Sequence, residues 1–374
     1  MNLRALARTS ARLFQRTMST QPPKLAIIDD YLSTSTPHFA HIPPSTLSIS
    51  TFTNTLTGAP LVDRLRPFTA ISNIRERTPL PASLLRQLPN LKLLLATGTQ
   101  FETFDLGVAK ELGITVVAAP GLGRTDTGTA AVQRPNIKVG GAHPTTQHTW
   151  ALILALARNV AVDDAMIKSG LGWQSGLATG LTGLTLGIVG LGRLGAAVAR
   201  IGHLAWGMRV ICWSANLTQQ KADQMAVDVG LPAGTFEVVN KDEMFRAADV
   251  VSLHYVLSQR SRGIVGAAEL GAMKPSALLV NASRGPLIDD AALLDTLESG
   301  HIRGAAMDVF EQEPLPADSP WRRSGYWGRD GRSNVLTTPH MGYVDEGLMN
   351  AWYAETAENV ERWLDGREVL HRLV

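Results

Sequence analysis

A single cysteine, Cys212, stands among 374 residues. No intramolecular disulfide is possible and no zinc site can be built from thiolates, so a reducing compartment is expected. Charge is also sparse, at 18% of residues against 45% hydrophobic, which excludes a disordered chain and leaves apolar surface for a large core. The longest strongly apolar run, Trp150 to Ala157, falls far short of the roughly 20 residues that cross a bilayer. No membrane span, internal repeat or low-complexity tract is visible. At roughly 150 residues per domain, the length implies two domains.

Acidic residues are missing from one stretch in particular. The first carboxylate is Asp29, whereas Arg4, Arg8, Arg12 and Arg16 repeat at i, i+4 ahead of it. In a helix those arginines form one basic stripe, with Leu3, Leu6, Leu13 and Phe14 largely off it. Together with Thr9, Ser10, Thr17 and Ser19, this is the composition of a mitochondrial transit peptide over residues 1–20, the alternative being a disordered tail or a start at Met18. Without the four arginines the formal net charge turns from +2 to −2. A slightly acidic body argues against nucleic acid as a partner.

From Lys24 onward, short apolar runs alternate with helical patterns, which makes a parallel α/β sheet covered on both faces. Strands are expected at Lys24–Asp29, Leu91–Ala96 and Thr115–Ala119. Residues 120–147 break the rhythm with glycine, proline and threonine and read as a boundary insertion. A buried helix follows over His148–Val160. Six more strands are then expected, at Thr185–Val189, Met208–Trp213, Asp249–His254, Ala277–Ala282, Gly304–Phe310 and Val335–Thr338, a doubly wound nucleotide-binding set. The stretch Asp345–Leu373 reads as a final helix.

Gly190-Leu191-Gly192-Arg193-Leu194-Gly195 follows an apolar strand and opens a helical stretch. In that context the first glycine permits a tight turn, the second lets backbone approach a pyrophosphate, and the third allows close helix–sheet packing. Gly121-Leu122-Gly123-Arg124 copies its first four letters but has Asp126 in place of the third glycine, and reads as a loop. In NAD-selective sites an acid about 20 residues on takes the ribose hydroxyls. Ser214 holds that position, so NAD and NADP both stay open, with Arg193 and Lys221 as nearby cations.

Three charged residues fall at strand ends, where such sheets bind ligands: Arg284, Glu313 and His340. Hydride exchange with a 2-oxo acid needs a cation for the carboxylate and carbonyl, and a group that exchanges a proton near neutrality. Arginine's planar fork suits the first task. Histidine suits the second, and an adjacent carboxylate fixes its tautomer and favours its protonated form. His148 and His254 read as structural or supporting residues.

The ordered set of Gly-Leu-Gly-Arg-Leu-Gly at 190, Met-Lys-Pro at 273, Val-Asn-Ala-Ser-Arg-Gly at 280, Asp-Val-Phe-Glu-Gln-Glu-Pro-Leu at 308 and Thr-Pro-His-Met-Gly at 338 resembles the D-isomer-specific 2-hydroxyacid dehydrogenases, including glyoxylate and hydroxypyruvate reductases. The resemblance runs from Lys24 to the C-terminus. It implies catalytic roles for Arg284, Glu313 and His340, and substrate contacts from Gly98 and Thr99. It places Gly190, Gly192, Arg193, Leu194 and Gly195 at the pyrophosphate, Ser214 at the ribose, Ala282 and Asp308 at the nicotinamide end, and Gly342 among the cofactor-binding residues beside His340. It also implies a Rossmann domain (148–344) inserted into a discontinuous flavodoxin-like substrate domain (21–147 and 345–374), no metal, and a homodimer. Four departures stand out: Ser214, Tyr255-Val256-Leu257 in place of a proline-containing turn, and longer segments at 120–147 and 321–332, read as inert surface insertions, the alternative being segments that gate the cleft or border the dimer. A dinucleotide-sensing co-repressor is the rival reading; a formate dehydrogenase is disfavoured because that family pairs its histidine with glutamine.

Overall fold

A computed structural model describes residues 21–74, 77–98, 103–126 and 143–374. The leader, Thr99 and most of the 120–147 segment lie outside the described residues. The chain divides into two compact units, Met1–Thr129 with Asn350–Val374, and Ala130–Met349.

The first unit holds β1 (Lys24–Ile27), β2 (Ser48–Thr51), β3 (Ala70–Asn73), β4 (Leu93–Thr97) and β5 (Thr115–Ala119). They form one parallel sheet in the order β2-β1-β3-β4-β5, the flavodoxin-like arrangement. β2 and β3 carry serines among their apolar residues and escape a search for continuous hydrophobic runs. The final helix spans Glu346–Leu364 and stops well short of Leu373. Gly366, at φ 70°, follows it, and the chain returns so that Arg372 pairs antiparallel with Val117. Backbone bonding to β5 thus replaces the expected last helical turns.

Gly121–Thr125 forms a loop, held by one face of that helix. Glu355 accepts from the amides of Gly121 (2.8 Å) and Leu122. Glu358 accepts from the Thr125 amide and hydroxyl, both at 2.6 Å. Glu361 pairs with Arg124 at 2.5 Å. Three carboxylates at i, i+3 and i+6 lie on one helical face and take donors from consecutive loop residues.

The second unit holds seven strands: β6 (Thr185–Val189), β7 (Arg209–Trp213), β8 (Phe236–Val238), β9 (Val250–Leu253), β10 (Leu278–Asn281), β11 (Gly304–Met307) and β12 (Asn334–Thr337). The order is β12-β11-β10-β9-β6-β7-β8, a Rossmann sheet with one added edge strand. Six strands were expected; the seventh, β8, is three residues long and pairs with β7 through Val210 and Phe236. Alternate residues feed two cores, as in a sheet buried on both faces. Ile188, Val280 and Ala306 join Trp150 and Val198 on one side. Val189, Leu279 and Met307 join Phe245 and Leu293 on the other.

The helix expected at His148–Val160 spans Pro144–Ala157. Proline sits at its first position, where no amide partner is lost, and His143 caps it by accepting from the Thr145 amide at 3.2 Å. The 321–332 segment is not an inert insertion. Trp321 is buried, packs 6.0 Å from the Phe310 ring and donates from Nε1 to Asp290 at 3.0 Å. Trp327 stacks on it at 6.2 Å, and the Arg332 guanidinium lies 4.0 Å from the centre of the Tyr326 ring. The loop therefore buttresses Phe310, three residues before Glu313.

Candidate active site

The sheet order reverses between β6 and β9, and the glycine turn lies there. Each glycine has a different physical reason. Gly190 has φ 96°, and a β-carbon on it would lie 2.7 Å from the His254 carbonyl oxygen. A β-carbon on Gly195 would lie 2.2 Å from the Gly190 oxygen, so the helix packs directly on the turn. A β-carbon on Gly192 would meet nothing within 4 Å, leaving open space where a pyrophosphate would approach. Gly192 caps the helix Arg193–Trp206 without any side-chain bond to the first amides. Those amides and the positive end of the helix dipole suit an anion. Arg193 is exposed beside them. The cradle fits a dinucleotide.

Ser214 follows β7, as expected. Its neighbourhood contains residues the sequence did not reveal. Tyr255, in the turn after β9, accepts from the Ala215 amide at 3.2 Å and stacks on Trp213 at 6.1 Å. The Lys241 ammonium lies 5.4 Å from the centre of the Trp213 ring. The only signal was the departure at Tyr255-Val256-Leu257. His254, beside Gly190, bonds the Ser252 hydroxyl at 2.9 Å, and burial pushes its pKa down to about 4. It is a neutral structural histidine.

Arg284, Glu313 and His340 follow the C-terminal ends of three adjacent strands, β10, β11 and β12. The His340 ring donates from Nδ1 to Glu313 Oε2 at 2.6 Å, with both side chains mostly buried. Glu313 Oε1 accepts from the Phe310 amide at 2.9 Å, which holds the carboxylate in place. With Nδ1 bound, Nε2 is the ring nitrogen that can exchange a proton. Arg284 donates to the Ser283 carbonyl at 2.7 Å, and Asn281 donates to the Arg284 carbonyl at 2.9 Å. The next residue, Gly285, abuts the Phe310 backbone. The arginine loop and the glutamate loop are therefore packed main chain against main chain.

His340 adopts φ 55°, the left-handed region, which costs a residue with a side chain about 1–2 kcal/mol. Its amide donates to the Asp308 carbonyl at 2.7 Å. Asp308 is fully buried, and its carboxylate accepts from Thr338 Oγ1 (2.6 Å), the Met341 amide (2.7 Å), the Gly342 amide (3.0 Å) and His148 Nε2 (3.1 Å). Burial pushes this carboxyl up, but those donors outweigh it and hold it below the usual carboxylate range.

Three expected site residues have partners within the protein. Asp308, expected at the nicotinamide end, accepts from the amide of Gly342, expected beside His340. That bond ties down the loop that carries His340. Gly98 was expected to offer its amide to substrate, yet that amide donates to the Ala119 carbonyl at 2.8 Å, where Gly98 continues the pairing of β4 with β5. Ala282 is half-buried against the core, and Leu194 is half-buried in the first helical turn. Among the described residues, no group of three or more potential ligands is arranged for a metal ion.

Residues 150–342 match the family model described as D-isomer specific 2-hydroxyacid dehydrogenase, NAD binding domain. A glyoxylate reductase of Aeropyrum pernix is 32% identical over 292 residues, covering 76% of each chain. A D-3-phosphoglycerate dehydrogenase of Methanocaldococcus jannaschii is 32% identical over 295 residues, covering 78% of this chain and 49% of that protein. The chain spans about half the length of the curated phosphoglycerate dehydrogenases it matches. The crystal structure of a phosphoglycerate oxidoreductase from Vibrio cholerae aligns with a TM-score of 0.75 at 33% identity, covering 92% of this chain and 99% of that one.

Proposed function

The chain belongs to the D-isomer specific 2-hydroxyacid dehydrogenases, and from that premise we propose that it reduces a small 2-oxo acid to the D-2-hydroxy acid, in the manner of a glyoxylate or hydroxypyruvate reductase. A bound nicotinamide dinucleotide supplies the hydride. Arg284 binds the substrate carboxylate and polarises the neighbouring carbonyl through its planar fork. His340 delivers the proton to the carbonyl oxygen from Nε2, while Glu313 orients the ring through Nδ1. Asp308 holds the loop that carries His340. The 2.6 Å contact between His340 and Glu313 carries this reading.

A glutamate in that position also supports a dehydrogenase over a formate-type enzyme. The rival co-repressor reading keeps the same fold, and turnover separates the two. The deciding assay follows NADH and NADPH oxidation with glyoxylate, hydroxypyruvate and bulky 2-oxo acids. Turnover of one of them is expected; cofactor binding without turnover of any would leave the sensor reading in place. The open Ser214 position supports use of either dinucleotide.

A homodimer is part of the proposal. The helix Val160–Ser169 buries no side chain, and Val160, Ile167, Leu171, Trp173 and Leu177 expose apolar surface along it and the segment that follows. Such a strip is characteristic of a protein–protein interface. Light scattering of the purified chain checks the mass. The arginine stripe of the leader supports mitochondrial import, which a fluorescent fusion of residues 1–20 tests directly.

A further inference from the structure

Three of the four donors to the buried Asp308 carboxylate belong to the loop it shapes: Thr338, Met341 and Gly342. The fourth, His148, comes from the helix Pro144–Ala157. Its Nε2 lies 3.1 Å from Asp308 Oδ1 and 3.1 Å from Thr338 Oγ1, so one imidazole N–H faces both acceptors. The loop is pressed against this helix: a β-carbon on Gly342 would lie 3.4 Å from Thr145 Cγ2 and 3.8 Å from His148 Cδ2. The helix itself is anchored independently, by Trp150, Leu152, Ile153 and Leu156 in the core.

We infer that His148 is a positioning residue for the reaction, fixing through Asp308 the loop 338–342 and thereby the place from which His340 exchanges its proton. The left-handed backbone at His340 gives this inference its force. A non-glycine residue stays in that region only when its surroundings over-determine it. The donors on Asp308 supply that constraint, and His148 alone among the four refers the loop to a rigid core element. Loss of its N–H lets the loop drift relative to the sheet, and a displacement of about 1 Å at a reacting group can cost roughly 100-fold in rate.

The inference rests on the proposed reductase reading, so the test has one arm that does not depend on turnover. In the full chain, His148→Gln keeps an N–H donor about as far from the main chain as imidazole Nε2, whereas the donor in His148→Asn falls short. The asparagine variant is expected to lose kcat by roughly 10- to 100-fold while KM for the oxo acid and Kd for the dinucleotide stay within about twofold. Glutamine is expected to restore most of kcat. Hydrogen exchange at the Met341 and Gly342 amides is expected to accelerate in the asparagine variant only. Unchanged kcat in His148→Asn, or a parallel fall in kcat and affinity that glutamine does not rescue, overturns the inference. If the wild-type chain turns over no oxo acid, the reductase reading fails, and the exchange rates at 341 and 342 alone decide the inference: acceleration confined to the asparagine variant upholds it, and equal rates in all three proteins overturn it.

Discussion

A β-carbon placed on Gly285 would lie 2.0 Å from the carbonyl carbon of Phe310. The residue after Arg284 is thus in main-chain contact with the segment that leads to Glu313, and only the absence of a side chain allows it. Gly285→Ala is expected to force the two loops apart, costing about 1–3 kcal/mol of stability, and to lower kcat/KM because the arginine and the glutamate move relative to each other. Denaturant unfolding together with steady-state kinetics checks both effects. An alanine variant of unaltered stability would show that this approach is not needed.

Glu313→Gln keeps the shape of the partner to His340 and removes its charge. The amide holds the His340 ring less firmly than the carboxylate, which accepts a charge-assisted bond. The kcat/KM for reduction is expected to fall roughly 10- to 100-fold, with the Kd for the dinucleotide nearly unchanged. Steady-state kinetics with fluorescence titration of the dinucleotide checks this, and a kcat/KM equal to that of the wild type contradicts the assigned role.

Arg284→Lys retains the positive charge but loses the planar pair of donors. A drop of roughly 100-fold or more in kcat/KM is expected, with the Kd for the dinucleotide nearly unchanged. Stopped-flow measurement of hydride transfer separates the two quantities, and equal weakening of both would place the arginine at the cofactor rather than at the substrate.

Ser214→Asp installs the carboxylate that NAD-selective sites use. It should weaken NADPH relative to NADH by about tenfold, close to 1.4 kcal/mol. Fluorescence titration of both dinucleotides reads this without turnover; an unchanged ratio would mean that Ser214 does not face the ribose.

The folded-state carboxyl of Asp308 lies below its ordinary value, because its donors outweigh the cost of burial. Its stabilisation is therefore fully present above the unfolded value of about 3.9 and is lost as the pH falls through the lower folded value. Asp308→Asn should destabilise the protein by about 1–3 kcal/mol at pH 7, with the difference narrowing near pH 3. Urea midpoints at the two pH values test the sign, and a gap that widened in acid would refute it.

Much of the second unit was readable because its chemistry is sequential. Gly190, Gly192 and Gly195 each meet the constraint their spacing implies, and the apolar runs mark six of seven strands within one to three residues at either end. The seventh, Phe236–Val238, is too short to display any periodicity. In the first unit, Ser48–Thr51 and Ala70–Asn73 put hydroxyls and an amide into strands, so pairing with β1 rather than composition makes them strands. The meeting of Glu313 with His340 was legible from their positions at strand ends. The partners of Asp308, Gly342 and Gly98 were not, because a sequence shows which groups can bond but not which partners reach them first. His148 and Tyr255 act across 160 and 40 residues of chain respectively, a separation no local pattern encodes.

The return of the chain to β5, together with the three glutamates that grip Gly121–Thr125, has a consequence for synthesis. On the ribosome, the first sheet begins to emerge early but cannot acquire its closing helix until Glu346–Leu364 has been translated. The intervening nucleotide-binding unit is contiguous in sequence and is free to collapse beforehand. The nascent protein is thus expected to begin its amino-terminal unit first and to complete it last, after the middle unit has folded.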